Sequence, residues 1–146
     1  MPLLVFVCTG NTCRSPMAEC LARAMFAARE AREAWMVLSA GVYALSGAPA
    51  SEGAKHAMER RGLTLEGHRS RAVTRVLLDH AALVVGMGPG HISQLRAMYP
   101  DCQTPMRAFD DPPISDPYGR DDAAYERAAR DLERQLPALL DELQKA

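Results

Sequence analysis

Leu3-Leu4-Val5-Phe6-Val7-Cys8-Thr9-Gly10-Asn11-Thr12-Cys13-Arg14-Ser15-Pro16 is the stretch that decides how this chain folds. Leu3 to Val7 is an unbroken apolar run, the pattern of a parallel strand buried on both faces. A short polar loop follows. Ser15-Pro16 then predicts a helix start, with Ser15 as the cap and Pro16 in the first helical position. Met17, Leu21, Ala24, Met25 and Ala28 recur at helical spacing, with Glu19, Arg23 and Arg29 elsewhere on the turn. Strand, loop and helix make the first half of a βαβ unit.

The same alternation continues outward. Met36-Val37-Leu38-Ser39 reads as a second strand ended by Ala40-Gly41, and a helix is predicted from about 51 to 61, stopped by Gly62. A short helix at 73–80, a third buried strand at 81–85 closed by Gly86, a helix at 89–98 and a fourth strand near 105–109 follow. Residues 110–119 hold three prolines and one glycine, which predicts an ordered surface loop. Tyr125, Ala128, Ala129, Leu132, Leu136, Leu139, Leu140 and Leu143 share one face of a final helix that Pro137 should kink or restart. The expectation is a single α/β domain over residues 1–146 with a mostly parallel sheet. In such sheets ligands bind beyond the carboxyl ends of the strands, where Cys8 stands.

The 146 residues are 48% hydrophobic and 24% charged, an ordinary globular composition. A net charge of -1 leaves no electrostatic footprint for nucleic acid. Lys55, Arg60, Arg61, Arg69, Arg71 and Arg75 form one local basic run, read as a solvated charged face rather than an anion site. The apolar start is too short for a signal peptide or a membrane span, which needs roughly 20 residues. Cysteines at 8, 13, 20 and 102 do not form the ladder of a secreted disulfide scaffold, so a reducing, cytoplasmic setting is expected. Cys20 is expected in the core and Cys102 to be incidental.

The loop from Cys8 to Ser15 carries the chemistry. A loop that closes into a helix N-terminus turns backbone N–H groups inward, where Thr9, Gly10, Asn11, Thr12, Cys13, Arg14 and Ser15 can hold phosphate oxygens. Gly10 is expected to let the backbone curl. Arg14 adds a planar, permanently charged fork. The same field favours Cys8 as a thiolate, a nucleophile aimed at phosphorus, with Ser15 able to donate a hydrogen bond to it. Cys8 and Cys13 have no second Cys or His pair at zinc-finger spacing, so no metal is expected. Peroxide should oxidise an exposed thiolate at Cys8, and Cys13 is near enough in sequence to trap it as a disulfide.

The run Val7-Cys8-Thr9-Gly10-Asn11-Thr12-Cys13-Arg14-Ser15-Pro16-Met17-Ala18-Glu19 closely resembles the phosphate loop of the low-molecular-weight protein tyrosine phosphatases. Ser39-Ala40-Gly41, Gly67-His68-Arg69-Ser70 and Asp116-Pro117-Tyr118-Gly119 agree with it. The resemblance implies a four-stranded parallel sheet flanked by helices in three layers, a cysteinyl-phosphate intermediate, no metal and no cofactor. It implies Cys8 as nucleophile, Arg14 as phosphate clamp, and Asp116 as general acid and then base. Asp110 and Asp111 are the competitors for that last role. Asn11, Ser39 and His68 are implied as a hydrogen-bonded support of the loop.

Departures from the family's usual pattern bear on substrate. Thr12 stands where tyrosine phosphatases commonly carry Ile or Leu, and Gly119 follows Tyr118 where a second aromatic is often found. Cys-Thr-Gly-Asn-Thr-Cys-Arg-Ser resembles the loop of the bacterial protein-arginine phosphatase branch. Phosphoarginine in a protein is therefore preferred to phosphotyrosine as the substrate, with Thr12 and Tyr118 as the positions that select it. An arsenate reductase is disfavoured because no cysteine lies between Cys20 and Cys102. A non-catalytic phosphopeptide-binding module would not need both Cys8 and an aspartate in a stiff late loop. The expected partner is a phosphorylated protein, with no nucleic acid and no membrane, and the chain is expected to be a monomer.

Overall fold

Leu4 and Phe6 face one side of the first strand, Val5 and Val7 the other, and all four are fully buried. A strand apolar on both faces must lie inside a sheet covered on both sides. The computed structural model describes residues 1–29 and 34–145. In it β1 (Leu3–Cys8) pairs in parallel with β2 (Met36–Gly41) and β3 (Leu83–Gly86), and β3 pairs in parallel with β4 (Met106–Ala108). The strand order is β2-β1-β3-β4. The chain turns to β2 on one side of β1 and then to β3 on the other, leaving a crevice at the carboxyl ends of β1 and β3.

Helices α1 (Arg14–Ala28), α2 (Glu52–Glu59) and α5 (Asp122–Leu143) pack on the Leu4–Phe6 face. Helices α3 (Arg75–His80) and α4 (Pro89–Met98) cover Val5 and Val7. The three-layer α/β arrangement with four parallel strands is as expected. Thr74 and Asp121 cap α3 and α5, each accepting a backbone N–H at 3.1 Å, and Gly62 turns left-handed (φ 72°) after α2. Among the described residues no helix is long and apolar enough to cross a membrane.

Three details of the helices differ from expectation. Helix α1 begins at Arg14 with Cys13 as its cap residue, so Ser15 is already inside the helix and buried. Its hydroxyl is taken by the loop rather than by the helix end. On the same helix Ala28 is exposed, and Ala18 and Ala22 complete the buried face. Helix α5 runs through Pro137 without a restart. Its patterned face from Tyr125 to Leu140 is buried throughout, and tertiary packing of that face outweighs the backbone bond a proline forfeits.

The basic run is largely occupied by intramolecular partners. Arg61 reaches Glu126 at 2.7 Å and Glu133 at 2.9 Å, and Arg60 reaches Glu126 at 3.1 Å, which ties the end of α2 to α5. Hydrogen bonds from Arg61 hold the Glu126 carboxyl at about 2, well below its ordinary range. Lys55 pairs with Glu52 and Glu66, and Arg75 with Asp79 and Asp101.

Gly53 lies flat against the Tyr125 ring, and a Cβ there would overlap the ring carbons. An alanine in a helix normally stabilises by about 1 kcal/mol relative to glycine. Here Gly53→Ala is expected to destabilise by about 1–3 kcal/mol, because Tyr125 must shift in a packed core. Urea denaturation measures it, and a more stable variant would refute the close contact.

Candidate active site

Cys8 ends β1 directly opposite Gly41 of β2. A Cβ on Gly41 would stand 2.5 Å from the Thr9 carbonyl oxygen and 3.0 Å from the Asn11 nitrogen. The loop backbone therefore rests on Gly41, a position no other residue can take. The N–H groups of Val42 and Tyr43 donate to the carbonyls of Cys8 and Thr9, each at 3.0 Å, and fasten the loop to the chain leaving β2.

The curl of the loop is made at Asn11, not at Gly10 as the sequence suggested. Asn11 has φ 57°, a left-handed conformation costing a non-glycine residue roughly 1–2 kcal/mol, and its surroundings hold it there. It is completely buried. Its Oδ1 accepts the Arg71 N–H at 3.0 Å, and its Nδ2 donates to Ser15 Oγ and Ser39 Oγ, each at 2.9 Å. His68 Nε2 donates to the Asn11 carbonyl at 2.8 Å. The Ser39 hydroxyl in turn donates a hydrogen bond to Glu19 Oε1 at 2.7 Å. Asn11, Ser39 and His68 thus form one network behind the loop, with Glu19 as its outer end.

This curl presents Cys8. Its Sγ receives the Asn11 N–H at 3.3 Å and lies 2.8 Å from Ser15 Oγ. No side chain caps α1, so its first amides remain available beside the sulfur. Cys8, Thr9, Gly10, Thr12, Cys13 and Arg14 line a cavity of about 370 Å³. Asp116 and Tyr118 close it from the late loop.

Arg14 and Asp116 meet through that late loop. Ile114 is buried, and its N–H donates to the Met87 carbonyl at 2.8 Å, pinning the loop to the end of β3. Arg14 Nη1 donates to the Ile114 carbonyl at 3.0 Å, and its Nη2 lies 3.6 Å from Asp116 Oδ2. Asp116 Oδ1 accepts the Tyr118 N–H at 3.1 Å, an Asx turn that holds the carboxyl in place. Asp110 and Asp111 border a separate depression beside α5 and do not reach this cavity. Of the three aspartates, Asp116 is the one that lines the cavity with Cys8.

The other cysteines are sorted differently than expected. Cys13 is buried, with its Sγ 3.2 Å from Ser51 Oγ and 3.4 Å from the Tyr125 hydroxyl. Burial, and then the contact with Cys13, push the Tyr125 phenol up to about 12, so it is a neutral hydroxyl. Cys20 is only half-buried, while Cys102 sits in the core beneath α4. Burial, with Glu19 nearby, raises the Cys20 thiol.

Five residues of the site went unread in the sequence. Tyr43, Leu45 and Ala48 form a wall of the cavity, carried on the loop that leaves β2. Ser70 staples that wall, donating to the Leu45 carbonyl and accepting the Ala48 N–H at 3.0 Å. Exposed apolar residues in a loop were the available signal for the wall, and adjacency to His68 was the signal for Ser70. His91 is the fifth. Gly88 N–H donates to its Nδ1 at 3.2 Å, and its Nε2 lies 3.2 Å from Thr9 Oγ1. Burial, then the charge of Arg14, push its pKa down, partly opposed by Asp116. Nothing in Pro89-Gly90-His91 points to the loop 80 residues earlier.

No group of three His, Cys, Asp or Glu side chains among the described residues could hold a metal ion. A family model described as low molecular weight phosphotyrosine protein phosphatase matches residues 3–146. A probable low molecular weight protein-tyrosine-phosphatase EpsP of Ralstonia solanacearum is 34% identical over 141 residues, 92% of this chain and 91% of that one. A protein-arginine-phosphatase of Bacillus subtilis is 34% identical over 148 residues, 97% of both chains. The structure of a YwlE arginine phosphatase mutant with a phosphorylated active site serine superimposes with a TM-score of 0.91 at 29% identity, covering 98% of this chain and 96% of that one. The same fold, matched from the first strand to the last helix, makes this chain a member of the low molecular weight phosphotyrosine protein phosphatase family.

Proposed function

We propose that this protein is a protein-arginine phosphatase working through a cysteinyl-phosphate. The observation that carries the reading is the Thr12 side chain on the wall of the cavity that holds Cys8, Arg14 and Asp116. A hydroxyl there can hydrogen-bond a guanidinium or the attacking water, where Ile would offer a phenol ring an apolar surface. The match to the Bacillus subtilis protein-arginine-phosphatase over 97% of the chain supports it. A phosphotyrosine substrate is the second reading, favoured by Tyr43 and Tyr118 at the cavity mouth.

The chemistry runs in two displacements. Ser15 donates to the Cys8 thiolate, and Arg14 with the loop amides gathers the phosphoryl oxygens. The Cys8 sulfur attacks phosphorus, forming an S–P bond as the P–N bond breaks, and Asp116 gives its proton to the departing guanidino nitrogen. Asp116, now a carboxylate, takes a proton from water as that water's oxygen attacks phosphorus. The S–P bond breaks, phosphate leaves and the thiolate returns. The mutant YwlE relative with a phosphorylated active site serine supports a covalent route.

Cys8 and Cys13 line one cavity, which supports a protective pairing. Peroxide would oxidise the Cys8 thiolate to a sulfenic acid, and the Cys13 thiol would condense with it, releasing water and leaving a disulfide. The spacing of the cysteines, at 8, 13, 20 and 102, is unlike a secreted disulfide ladder and supports a reducing, cytoplasmic setting.

Parallel kinetics on phosphoarginine and phosphotyrosine peptides test the substrate. Wild type should have the higher kcat/KM on phosphoarginine, and Thr12→Ile should move the ratio toward phosphotyrosine by about tenfold. A wild-type preference for phosphotyrosine would sink the assignment. Cys8→Ser should lose turnover by roughly 10³-fold or more yet still bind phosphate, and Asp116→Asn should lose about 10²–10⁴-fold in kcat. An active Cys8→Ser enzyme rules out the covalent route. After peroxide, mass spectrometry should find a Cys8–Cys13 linkage that thiols reverse; irreversible Cys8 sulfonate without it counts against protection.

A further inference from the structure

His91 is 8% exposed, far from the phosphate loop in sequence, and its ring ends at that loop. The direction of its hydrogen bonds follows from elementary donor and acceptor rules. Gly88 N–H can only donate, so Nδ1 presents its lone pair. In a neutral imidazole the proton then sits on Nε2, which donates to Thr9 Oγ1. Burial and the nearby Arg14 charge lower the His91 pKa, which favours the neutral ring. Pro89 at the start of α4 and the packed turn at Gly88 give the ring a rigid mount.

The consequence lies at Thr9. Thr9 lines the cavity with Cys8, Arg14 and Asp116. Left alone, an exposed threonine hydroxyl rotates and is satisfied by water. Held by His91 from behind, its oxygen keeps a second lone pair for the cavity. A guanidinium presents several N–H donors and a phenol ring presents none at its edge.

We propose that Thr9 is a second substrate-selecting residue that accepts an N–H of the phosphoarginine guanidinium, and that His91 is the positioning residue that aims it. This rests on the phosphoarginine reading and adds a polar contact independent of Thr12. Thr9 and Thr12 would give the cavity hydroxyls from two points of one loop, so neither alone sets the preference.

The experiment compares kcat/KM on phosphoarginine and phosphotyrosine peptides for wild type and for Thr9→Val, His91→Gln and His91→Asn. Thr9→Val keeps the shape and removes the acceptor, and the phosphoarginine-to-phosphotyrosine ratio should fall about tenfold. Gln places its amide nitrogen where Nε2 stood, so His91→Gln should keep the ratio within about twofold of wild type. Asn can still accept from Gly88 but cannot reach Thr9, so His91→Asn should lower the ratio by about fivefold. Thr9→Val combined with His91→Asn should be no lower than Thr9→Val alone, since both act through one contact. Nitrogen NMR of the imidazole should find the proton on Nε2, a signature that a merely structural histidine need not give. An unchanged ratio in Thr9→Val, indistinguishable Gln and Asn variants, or a proton on Nδ1 would overturn the proposal while leaving the phosphoarginine reading standing. A wild type that prefers phosphotyrosine would overturn both.

Discussion

Asn11 holds the active site in shape. Its left-handed backbone is costly for any residue with a side chain, and four hydrogen bonds to its amide and carbonyl hold it. At about 1 kcal/mol each, these are sufficient to offset the backbone cost. The partners come from four places along the chain: Ser15 on α1, Ser39 on β2, and His68 and Arg71 on the loop beyond α2. The curl is therefore a property of the folded sheet and not of the octapeptide. Because Asn11 turns, its N–H points at Cys8 Sγ and Ser15 comes within 2.8 Å of the same sulfur. Gly41 supplies the other half of the constraint by letting the loop backbone lie on β2 without a side chain between them.

The late loop is tied to the same scaffold by one side chain. Arg14, almost wholly buried, bonds the Ile114 carbonyl with one nitrogen and faces Asp116 with the other. A group suited to clamp phosphate thus also registers the loop that carries the acid. Ile114 and buried Pro117 anchor that loop on either side of the more exposed Asp116 and leave its carboxyl open to the cavity. On the opposite side Tyr125 presses against Gly53 and touches Cys13, so α2 and α5 support the rear of the loop as well. Stability and chemistry share these contacts, since the ring that packs on Gly53 also touches Cys13.

The cavity walls are built from a different set of groups. The walls come from segments that the sheet places side by side: Thr9 and Thr12 from the phosphate loop, Tyr43 and Leu45 from the chain after β2, and Tyr118 from the late loop. The first two are polar and the last three apolar and exposed. That division fits a side chain that is polar at its end and carried on a polypeptide. His91 is not part of the cavity lining and meets it at Thr9.

Much of this was legible in the amino-acid sequence because its signals are local. The apolar run from Leu3 to Val7, the strand–helix alternation and the heptad-like face of α5 report burial through period alone. The spacing of Cys8, Arg14 and Ser15 reports an anion loop because one turn of backbone brings those residues together. Asp116 was legible through its proline-stiffened context, though only the fold separated it from Asp110 and Asp111. The positions that failed were those whose roles come from distant partners. Gly10 looked like the hinge, but the hydrogen bonds that let Asn11 take it come from residues 28 to 60 positions away as well as from Ser15. Ser15 was read both as a helix cap and as a donor to Cys8, and only the second role matches the fold. Tyr43, Leu45 and Ser70 carry only weak local marks, and His91 carries none. Sequence by itself determined the elements and the candidate phosphate loop, since propensity and loop chemistry act over a few residues. Tertiary structure alone decided the cavity wall and the direction of each hydrogen bond, because those depend on which backbone groups the parallel sheet brings within 3 Å.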